Sequence, residues 1–405
     1  MPFPALTVTT RRVADPGRLV PMLSAESPLL WMRRGYGMAG VGEALRLEFR
    51  GPTRIADAAS AWQRIVAAAT VDDPIAEQGT GLVAFASFAF SDASPTSSVL
   101  IVPSVLVGRT AEGAWLTTVS TDAAMPPAVP FGGSATVAFS AGALDAEGYR
   151  EAVSAAVSRI RGHELSKVVL ARDLVGTLPP GADLRRAIDT LGMGYPDCWT
   201  FSVDGFLGSS PETLVGVRRG TVTARVLAGS AARGIDAASD LDAAAALATS
   251  AKDQDEHRFA VQNVLASLRA HSPNLAASEM PFTLKLPNLW HLASDVEGDL
   301  VDGSTSLDLV GTLHPTAAVA GTPTSAALAV IDELEGFDRG RYAGPVGWVG
   351  ADGDGEWAVA LRSAQVDATG TVTAWAGAGI VAESDPEREL LETRLKFRPI
   401  VESFA

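Results

Sequence analysis

Residues 200–229 read TFSVDGFLGSSPETLVGVRRGTVTARVLAG, and this stretch decides the fold class. It contains several β-type runs, including Phe201 to Val203 and Thr221 to Leu227, which are interrupted at Gly205 and Gly220. Short apolar runs separated by glycine are typical of strands joined by tight turns. The stretch therefore predicts an antiparallel meander.

Helical patterns lie on both sides of this meander. Before it, apolar residues recur at helical spacing from Tyr149 to Ile160, and Gly162 is suited to end that helix. Lys167 to Ala171 then has the pattern of a buried strand. After the meander, helices are predicted from Asp240 to Ala270 and again from Asp385 onward.

Further strands are predicted near Trp348, from Trp357 to Leu361 and from Thr371 to Trp375. Strands thus cluster between helical runs, without the strict alternation that a parallel sheet requires. This order of elements predicts an α+β fold built on antiparallel sheets.

The N-terminal third carries little recognisable chemistry. It mixes β-type runs, such as Ser98 to Val107, with one helical segment around Ile55 to Ala69. The stretch from Ala123 to Gly142 is rich in Pro, Gly, Ala and Ser, a composition typical of a connecting segment. We therefore predict an N-terminal α+β portion at 1–122, integrated with the core, and a second portion at 143–405.

Composition limits the partners of the chain. Its 405 residues, 47% of them hydrophobic, can bury one large core or two ordinary ones. A formal net charge of −15 argues against nucleic acid and against anionic membranes. Apolar stretches fall short of the ~20 residues of a membrane span, and we see no secretory signal. The single cysteine, Cys198, fits a reducing compartment, so we expect a cytoplasmic protein.

A glycine motif near the end of the chain needs a separate interpretation. Gly377 to Ala382 reads GAGIVA and matches the dinucleotide pattern G-x-G-x-x-A. A dinucleotide fold also needs a second parallel strand carrying an acidic residue, but a helix is predicted there instead. We expect a glycine-rich turn at a helix N-terminus, which either binds a carboxylate through its N–H groups or serves only as a tight turn.

Two predicted helices carry acidic pairs. Glu389 and Glu392 lie three residues apart and share a helix face with Lys396, and Asp253 and Glu256 repeat the spacing on the earlier helix. If the helices converge, four carboxylates would suit Mg²⁺, which prefers oxygen ligands. Alone, each pair is more often a solvated helix face, and spacing does not show that the helices meet.

Taken together, nine segments resemble the chorismate-utilising enzymes, a family that includes isochorismate, salicylate, anthranilate and aminodeoxychorismate synthases. They occur in the family's order over roughly residues 145–400, whereas the N-terminal part is similar only loosely. The segments are Glu164 to Arg172, Gly208 to Glu212, Leu227 to Ser230, Lys252 to His257, Leu289 to Leu292, Leu313 to Pro323, Arg339 to Gly344, Ala360 to Arg362, and Gly377 to Lys396. The resemblance implies the anthranilate synthase component I-like fold, in which antiparallel sheets form a sandwich core with flanking helices, and makes 143–405 the chorismate-binding portion.

The resemblance also implies roles for individual residues. Glu256 and Glu392 would be Mg²⁺ ligands, supported by Asp253 and Glu389, and the metal would hold the ring carboxylate of chorismate. The remaining implied contacts are all with the substrate. They are Tyr342 and Arg362 at the enolpyruvyl carboxylate; Lys396, Gly229 with the adjacent Ser230, and the N–H groups of Gly377, Ala378 and Gly379 at carboxylates; and His314 lining the ring pocket or, alternatively, a structural histidine.

Isochorismate formation adds a hydroxyl at C2 while the C4 hydroxyl departs, so it needs a base and an acid. The resemblance implies Lys167 as the base that activates water, which requires its pKa to fall from ~10.4 toward ~7–8. It implies Glu212 as the acid, which must stay protonated near neutrality, as burial would favour.

The identity of residue 167 favours water over ammonia as the nucleophile. Ammonia-using relatives carry Gln where this chain has Lys167, so we expect an isochorismate synthase that needs no glutaminase subunit. The alternatives are a salicylate synthase, which goes on to eliminate pyruvate, a glutaminase-dependent aminase, and a non-catalytic chorismate-binding protein. Either menaquinone or siderophore biosynthesis fits the sequence. Leu390 departs from the Trp found in many relatives and bears on packing.

Overall fold

The computed structural model describes residues 3–285 and 289–405. Residues 1–2 and 286–288, which fall within the two predicted portions, lie outside the described residues. The helices of the described residues are α1 Arg54–Ala68, α2 Ala146–Arg161, α3 Arg185–Gly194, α4 Ala237–Thr249, α5 Ala251–Leu268, α6 Ser306–Leu313, α7 Thr324–Glu335 and α8 Pro386–Ser403.

The strands fall into two groups along the chain, one before and one after α2. The first group is β1 Thr7–Val13, β2 Leu29–Arg33, β3 Tyr36–Val41, β4 Leu45–Phe49, β5 Thr70–Asp72, β6 Val83–Ser87, β7 Ser98–Val102, β8 Val105–Arg109, β9 Ala114–Val119 and β10 Ser140–Ala141. The second group is β11 Lys167–Thr177, β12 Trp199–Val203, β13 Phe206–Ser210, β14 Thr213–Arg218, β15 Thr221–Ala232, β16 Ala276–Ala277, β17 Phe282–Lys285, β18 Leu289–Asp299, β19 Gly321–Thr322, β20 Pro345–Gly350, β21 Gly355–Val359, β22 Ser363–Val366 and β23 Thr371–Ile380.

Two sheets organise these strands. The larger, 13-stranded sheet runs β10-β11-β23-β22-β13-β12-β2-β3-β8-β9-β1-β5, with β19 beside β11. The smaller, 10-stranded sheet runs β16-β18-β15-β14-β21-β20-β6-β7-β4, with β17 beside β18. The described pairings are antiparallel except for β1 with β5, which is parallel. The predicted α+β class with antiparallel sheets is confirmed.

The sheets pack face to face around one large apolar core. Phe206 and Leu170 of the larger sheet lie in the same buried cluster as Val215 and Trp357 of the smaller sheet. Alternating strand residues place one face of each sheet inward, so the two inner faces form the centre of a sandwich. The predicted sandwich core with flanking helices is therefore present.

Residues 200–229 form two hairpins instead of one meander. β12 pairs with β13 in the larger sheet, whereas β14 pairs with β15 in the smaller sheet. The chain changes sheets at Pro211 and Glu212. Proline cannot donate a ladder hydrogen bond, which favours the end of β13 just before it. The prediction of strands was correct, but the prediction that they lie in one sheet was wrong.

The predicted helices are present, with one division. α2 ends at Gly162 as expected, but the run from Asp240 to Ala270 forms α4 and α5, which meet at Ser250. Ser250 ends α4 and caps α5, because its hydroxyl accepts a hydrogen bond from the Asp253 N–H at 3.3 Å. This cap sets the direction in which α5 leaves the turn.

The glycine motif is part of a strand, so the prediction of a turn at a helix N-terminus was wrong. Gly377 to Gly379 belong to β23 and pair with β11, while α8 begins only at Pro386 behind an Asp385 cap. The glycines serve close approach: a Cβ at Gly377 would meet the Leu170 carbonyl oxygen at 2.8 Å.

Strands of the N-terminal portion enter both sheets. β2 pairs with β12 in the larger sheet, and β6 pairs with β20 in the smaller one. The boundary proposed near residues 123–142 stays a prediction. In the described part of the chain, no helix combines the length and apolar character needed to cross a bilayer.

Candidate active site

A cavity of about 280 Å³, here called the first cavity, brings the predicted site residues together. It lies among β11, β23, the connection between β13 and β14, and the helices α5 and α8. The predicted residues that line it are Lys167, Glu212, Gly229, Ser230, Asp253, Glu256, Tyr342, Arg362, Gly377, Gly379, Glu389, Glu392 and Lys396. Only His314 and Ala378 of the predicted set lie elsewhere.

Lys167 begins β11 and turns its side chain into the first cavity. Its Nζ contacts Glu256 Oε1 of α5 at 2.8 Å, forming an ion pair between groups that are far apart in sequence. Gly379 makes room for this side chain, because a Cβ there would lie 3.1 Å from Lys167 Cε. The ion pair therefore joins β11 to α5 at the wall of the first cavity.

Glu212 stands where the chain passes between the sheets. Its backbone is held on the smaller sheet side, where the Val359 N–H donates to its carbonyl oxygen at 3.0 Å. Burial raises the pKa of Glu212 to about 7, against the opposing influence of the positive charges of Lys167, Arg362 and Lys396. A carboxylic acid in this range can deliver a proton near neutral pH.

Helix α8 supplies a cation and two carboxylates. Lys396 Nζ contacts Glu392 Oε1 at 2.6 Å and donates to the Gly377 carbonyl oxygen at 2.8 Å. Burial opposes ionisation of Glu392, but the charge and hydrogen bond of Lys396 prevail and lower its pKa. Burial raises the pKa of Glu389 and lowers that of Lys396.

The carboxylates of α5 and α8 converge on the first cavity from two sides. Within the described ranges, no three His, Cys, Asp or Glu side chains are grouped closely enough to hold a metal by themselves. Mg²⁺ commonly takes one or two carboxylates and completes its octahedron with waters and substrate oxygens. The oxygen-only set of Asp253, Glu256, Glu389 and Glu392 fits that requirement chemically.

Arg362 and Tyr342 form the cationic and phenolic side of the cavity. Arg362 has a φ of +50°, in the left-handed region that is uncommon for residues other than glycine. Burial lowers the pKa of Arg362 and raises the pKa of Tyr342 to about 12. Tyr342 is therefore a neutral donor, and its ring stacks on Trp375 with centroids 6.1 Å apart.

Gly229 lies at a bulge in β15. The register with β18 shifts between Ala228 and Ser230, and Gly229 has a φ of +78°. A Cβ at Gly229 would lie 3.2 Å from Asp253 Cβ. The glycine thus allows β15 to bend while α5 approaches it closely.

Two predicted residues do not line the first cavity. The His314 Nε2 atom lies 2.9 Å from the Phe90 carbonyl oxygen, and burial lowers the pKa of His314 to about 4. Its ring faces a neighbouring cavity. Ala378 is fully buried opposite Leu170, because side chains alternate along β23. This arrangement places neither side chain against a ligand in the first cavity.

His291 and Arg339 line the cavity but were not predicted as site residues. His291 Nδ1 contacts Ser230 Oγ at 2.8 Å, and burial, aided by the charges of Lys396 and Arg362, lowers its pKa to about 4. Arg339 is buried with Glu335, with Nε to Oε2 at 2.8 Å. The spacing of four residues between Glu335 and Arg339 was a sequence signal for that pair. The position of His291 in the cavity follows from the pairing of β18 with β15 at the bulge, which local sequence does not show.

The fold belongs to a known class of α+β sandwich. The menaquinone-specific isochorismate synthase MenF of Escherichia coli superposes with a TM-score of 0.83 at 24% identity, covering 99% of this chain and 95% of that one. A structure described as a putative 2,3-dihydroxybenzoate-specific isochorismate synthase, DhbC, from Bacillus anthracis gives a TM-score of 0.78 at 28% identity, covering 95% and 98%.

Sequence comparison defines the family more closely. The family described as chorismate binding enzyme matches residues 18–126 and 132–405. Isochorismate synthase DhbC of Bacillus subtilis is 41% identical over 268 residues, covering 63% of this chain and 67% of the relative. The salicylate biosynthesis isochorismate synthase of Pseudomonas aeruginosa is 33% identical over 414 residues, covering 93% and 84%. The chain belongs to the chorismate-binding enzyme family.

Proposed function

We propose that this protein is an isochorismate synthase, an isomerase that converts chorismate to isochorismate by adding water at C2 and losing the C4 hydroxyl. The observation that carries the proposal is that Lys167 and Glu212 line one cavity, with the pKa of Glu212 raised to about 7. The B. subtilis and P. aeruginosa relatives, both named isochorismate synthases, support the same reaction.

The chemistry divides between these two groups. Lys167, once it has left Glu256 and lost a proton, is a neutral amine that takes a proton from the water that attacks C2. Glu212 gives its proton to the hydroxyl that leaves C4. Water is a weak nucleophile and hydroxide a poor leaving group, so the step needs both the base and the acid.

The cationic residues orient the substrate between this acid and base. Arg362 offers a planar fork of donors to the enolpyruvyl carboxylate, and Tyr342 adds a neutral hydroxyl donor. Lys396 and the backbone at Gly229, Gly377 and Gly379 face the other carboxylate. These contacts fix C2 on the Lys167 side and C4 on the Glu212 side.

We propose Mg²⁺ as the cofactor, with Glu256 and Glu392 as ligands and Asp253 and Glu389 supporting them. The bound ion supplies positive charge to the ring carboxylate. The carboxylates of two helices facing one cavity support this assignment. We propose that the enzyme acts without a glutaminase subunit, because Lys167 suits water as the nucleophile.

The test is product analysis by chromatography with purified protein, chorismate and Mg²⁺, with and without EDTA. We expect isochorismate with Mg²⁺ and little turnover with EDTA. Salicylate with pyruvate would replace the proposal with a salicylate synthase. An aminated product that requires ammonia would indicate an aminase, and binding of chorismate without turnover would indicate a non-catalytic protein.

A further inference from the structure

A second cavity of about 490 Å³ lies directly behind Glu212. It is enclosed by β15, by the outer face of α5 and by residues 312–318, which carry His314. Glu212, Leu227 and Ala318 line both cavities. These three side chains are thus the partition between them.

The second cavity reaches solvent and offers polar groups along its wall. Asn263 and Ser267 of α5 and Thr312 line it and are exposed. Among the described residues, Thr316 Oγ1 is buried without a hydrogen-bond partner, although Thr316 lines this cavity. A buried hydroxyl of this kind normally bonds to water.

The reaction, as proposed above, needs an exit on this side. The C2–O bond forms with water whose proton goes to Lys167, and the C4–O bond breaks as Glu212 protonates the departing hydroxide. One water molecule is therefore consumed beside Lys167 and another is formed beside Glu212. Before the next turnover, Glu212, left as a carboxylate, must regain a proton, and Lys167, left as an ammonium, must lose one.

Lys167 has a separate opening for the incoming water. It lines a broad cleft with Thr322, Pro323 and Val381, and this cleft borders the second cavity at Phe259, Thr322 and Pro323. The ring of chorismate, held between Lys167 and Glu212, would separate the cleft beside Lys167 from the second cavity behind Glu212.

We infer that the second cavity is a solvent channel that removes the water formed at C4 and reprotonates Glu212 while isochorismate is still bound. The inference rests on the proposed function. It assigns the residue 312–318 segment to water exchange, which also accounts for the position of His314 outside the first cavity.

The test follows oxygen exchange during turnover in ¹⁸O-labelled water at low conversion. If the C4 water escapes before product release, chorismate regenerated by the reverse step takes up ¹⁸O at C4. Mass spectrometry gives the ratio of labelled residual chorismate to isochorismate formed. We expect label in the wild-type residual chorismate, and its absence while isochorismate forms would overturn the channel.

Two variants target the channel without touching the acid or base. Ala260→Leu narrows it from α5, and Thr316→Val removes the buried hydroxyl, which has no hydrogen-bond partner among the described residues, with little change in side-chain shape. We expect each to lower the labelling ratio by about threefold or more, as exchange slows relative to the chemical step. Gln262→Leu, exposed on α5 away from the cavity, is the matched control and should keep the wild-type ratio.

The outcomes separate the channel from the proposed function. A wild-type protein that forms no isochorismate would refute the function. Active variants that retain the wild-type labelling ratio would refute the channel alone. If Ala260→Leu fails to fold by circular dichroism, the ratio of Thr316→Val decides.

Discussion

Helices α5 and α8 present the same arrangement of carboxylates to one cavity, but they are held in place differently. α8 buries Leu390, Phe397 and Ile400 against the core, whereas the buried residues of α5 are His257, Val261 and Leu268. α8 is thus fixed by a broad apolar contact, and α5 packs mainly on β15 in a smaller cluster.

The lysine that pairs with each helix also differs: one lies on the same helix and the other on a distant strand. Glu392 pairs with Lys396 one turn along its own helix, so that pair forms wherever α8 forms. Glu256 pairs with Lys167 on β11, so that contact depends on how α5 sits against the larger sheet. The comparison therefore predicts that α8 with Lys396 is the preset side of the site and that α5 with Glu256 and Lys167 is its adjustable side.

The largest effect is expected from Lys167→Ala, which removes the partner of the adjustable side. Loss of a general base should lower kcat by about 10²–10⁴-fold, while chorismate still binds through Arg362 and Lys396. Steady-state kinetics measures the loss in kcat, and a binding titration with chorismate measures whether affinity is kept. Lys252→Ala is the control, since Lys252 is exposed and its ion pair with Glu383, at 3.7 Å, is also exposed. Unchanged turnover in Lys167→Ala would remove Lys167 from the mechanism.

Glu256→Gln and Glu392→Gln compare the proposed metal ligands of the two helices. Because outer partners of a metal site are worth about 10–100-fold, a ligand itself should cost more than about 100-fold in activity at limiting Mg²⁺. Calorimetric Mg²⁺ titration gives the affinities.

The two substitutions should differ in stability. Glu392→Gln leaves the half-buried Lys396 without its carboxylate and should lower the thermal midpoint more than Glu256→Gln, because Lys167 also lines the open cleft and can turn to solvent there. The reverse order of midpoints would contradict a preset α8 and an adjustable α5.

Asp253→Asn and Glu389→Gln test the supporting carboxylates. Each should weaken Mg²⁺ affinity by about 10–100-fold, the usual range for groups that act through water or through another ligand. Asp255→Asn is the control, because Asp255 is exposed and pairs with Arg258 at 2.8 Å. Equal losses in the control and in Asp253→Asn would show that only surface charge matters.

Glu212 lies on neither helix, and the α8 charge that influences its pKa is that of Lys396, so its titration should be independent of the helix carboxylates. The acid works only while protonated, and its pKa is about 7, so kcat should fall as pH rises through that value, by about tenfold per pH unit above it. Glu212→Gln should be slow at every pH. The pH at which kcat falls should be the same in Asp253→Asn and Glu389→Gln as in the wild type. A shift of that pH in either variant would show that the helix carboxylates influence the pKa of Glu212.

The sequence predicted the secondary-structure elements better than it predicted the contacts between them. Periodicity identified α2 and β11, because each depends on local spacing. The contact of Lys167 with Glu256 and the convergence of α5 and α8 depend on pairings distant along the chain, so only family resemblance could suggest them. The assignment of residues to one cavity came from that source.

The errors have physical causes. Glycine at 377 and 379 suggested a turn, but glycine also permits strands to pass close to a carbonyl or to the Lys167 side chain. Local spacing likewise could not show that β13 and β14 belong to different sheets. For His314, which shares a motif with the site, the contact of its Nε2 with the Phe90 carbonyl oxygen fits the structural alternative.

The passage of the chain from one sheet to the other at Glu212 has a consequence for heat inactivation. Because Glu212 is held where the chain passes between the two sheets, a small shift of one sheet against the other would displace it while the strands of each sheet stay paired. Catalysis should therefore fail on warming below the temperature at which the circular dichroism of the strands is lost. To raise the temperature of inactivation, substitutions that strengthen the contact between the two sheets beside residues 211–213 should be more effective than substitutions that stabilise one sheet alone.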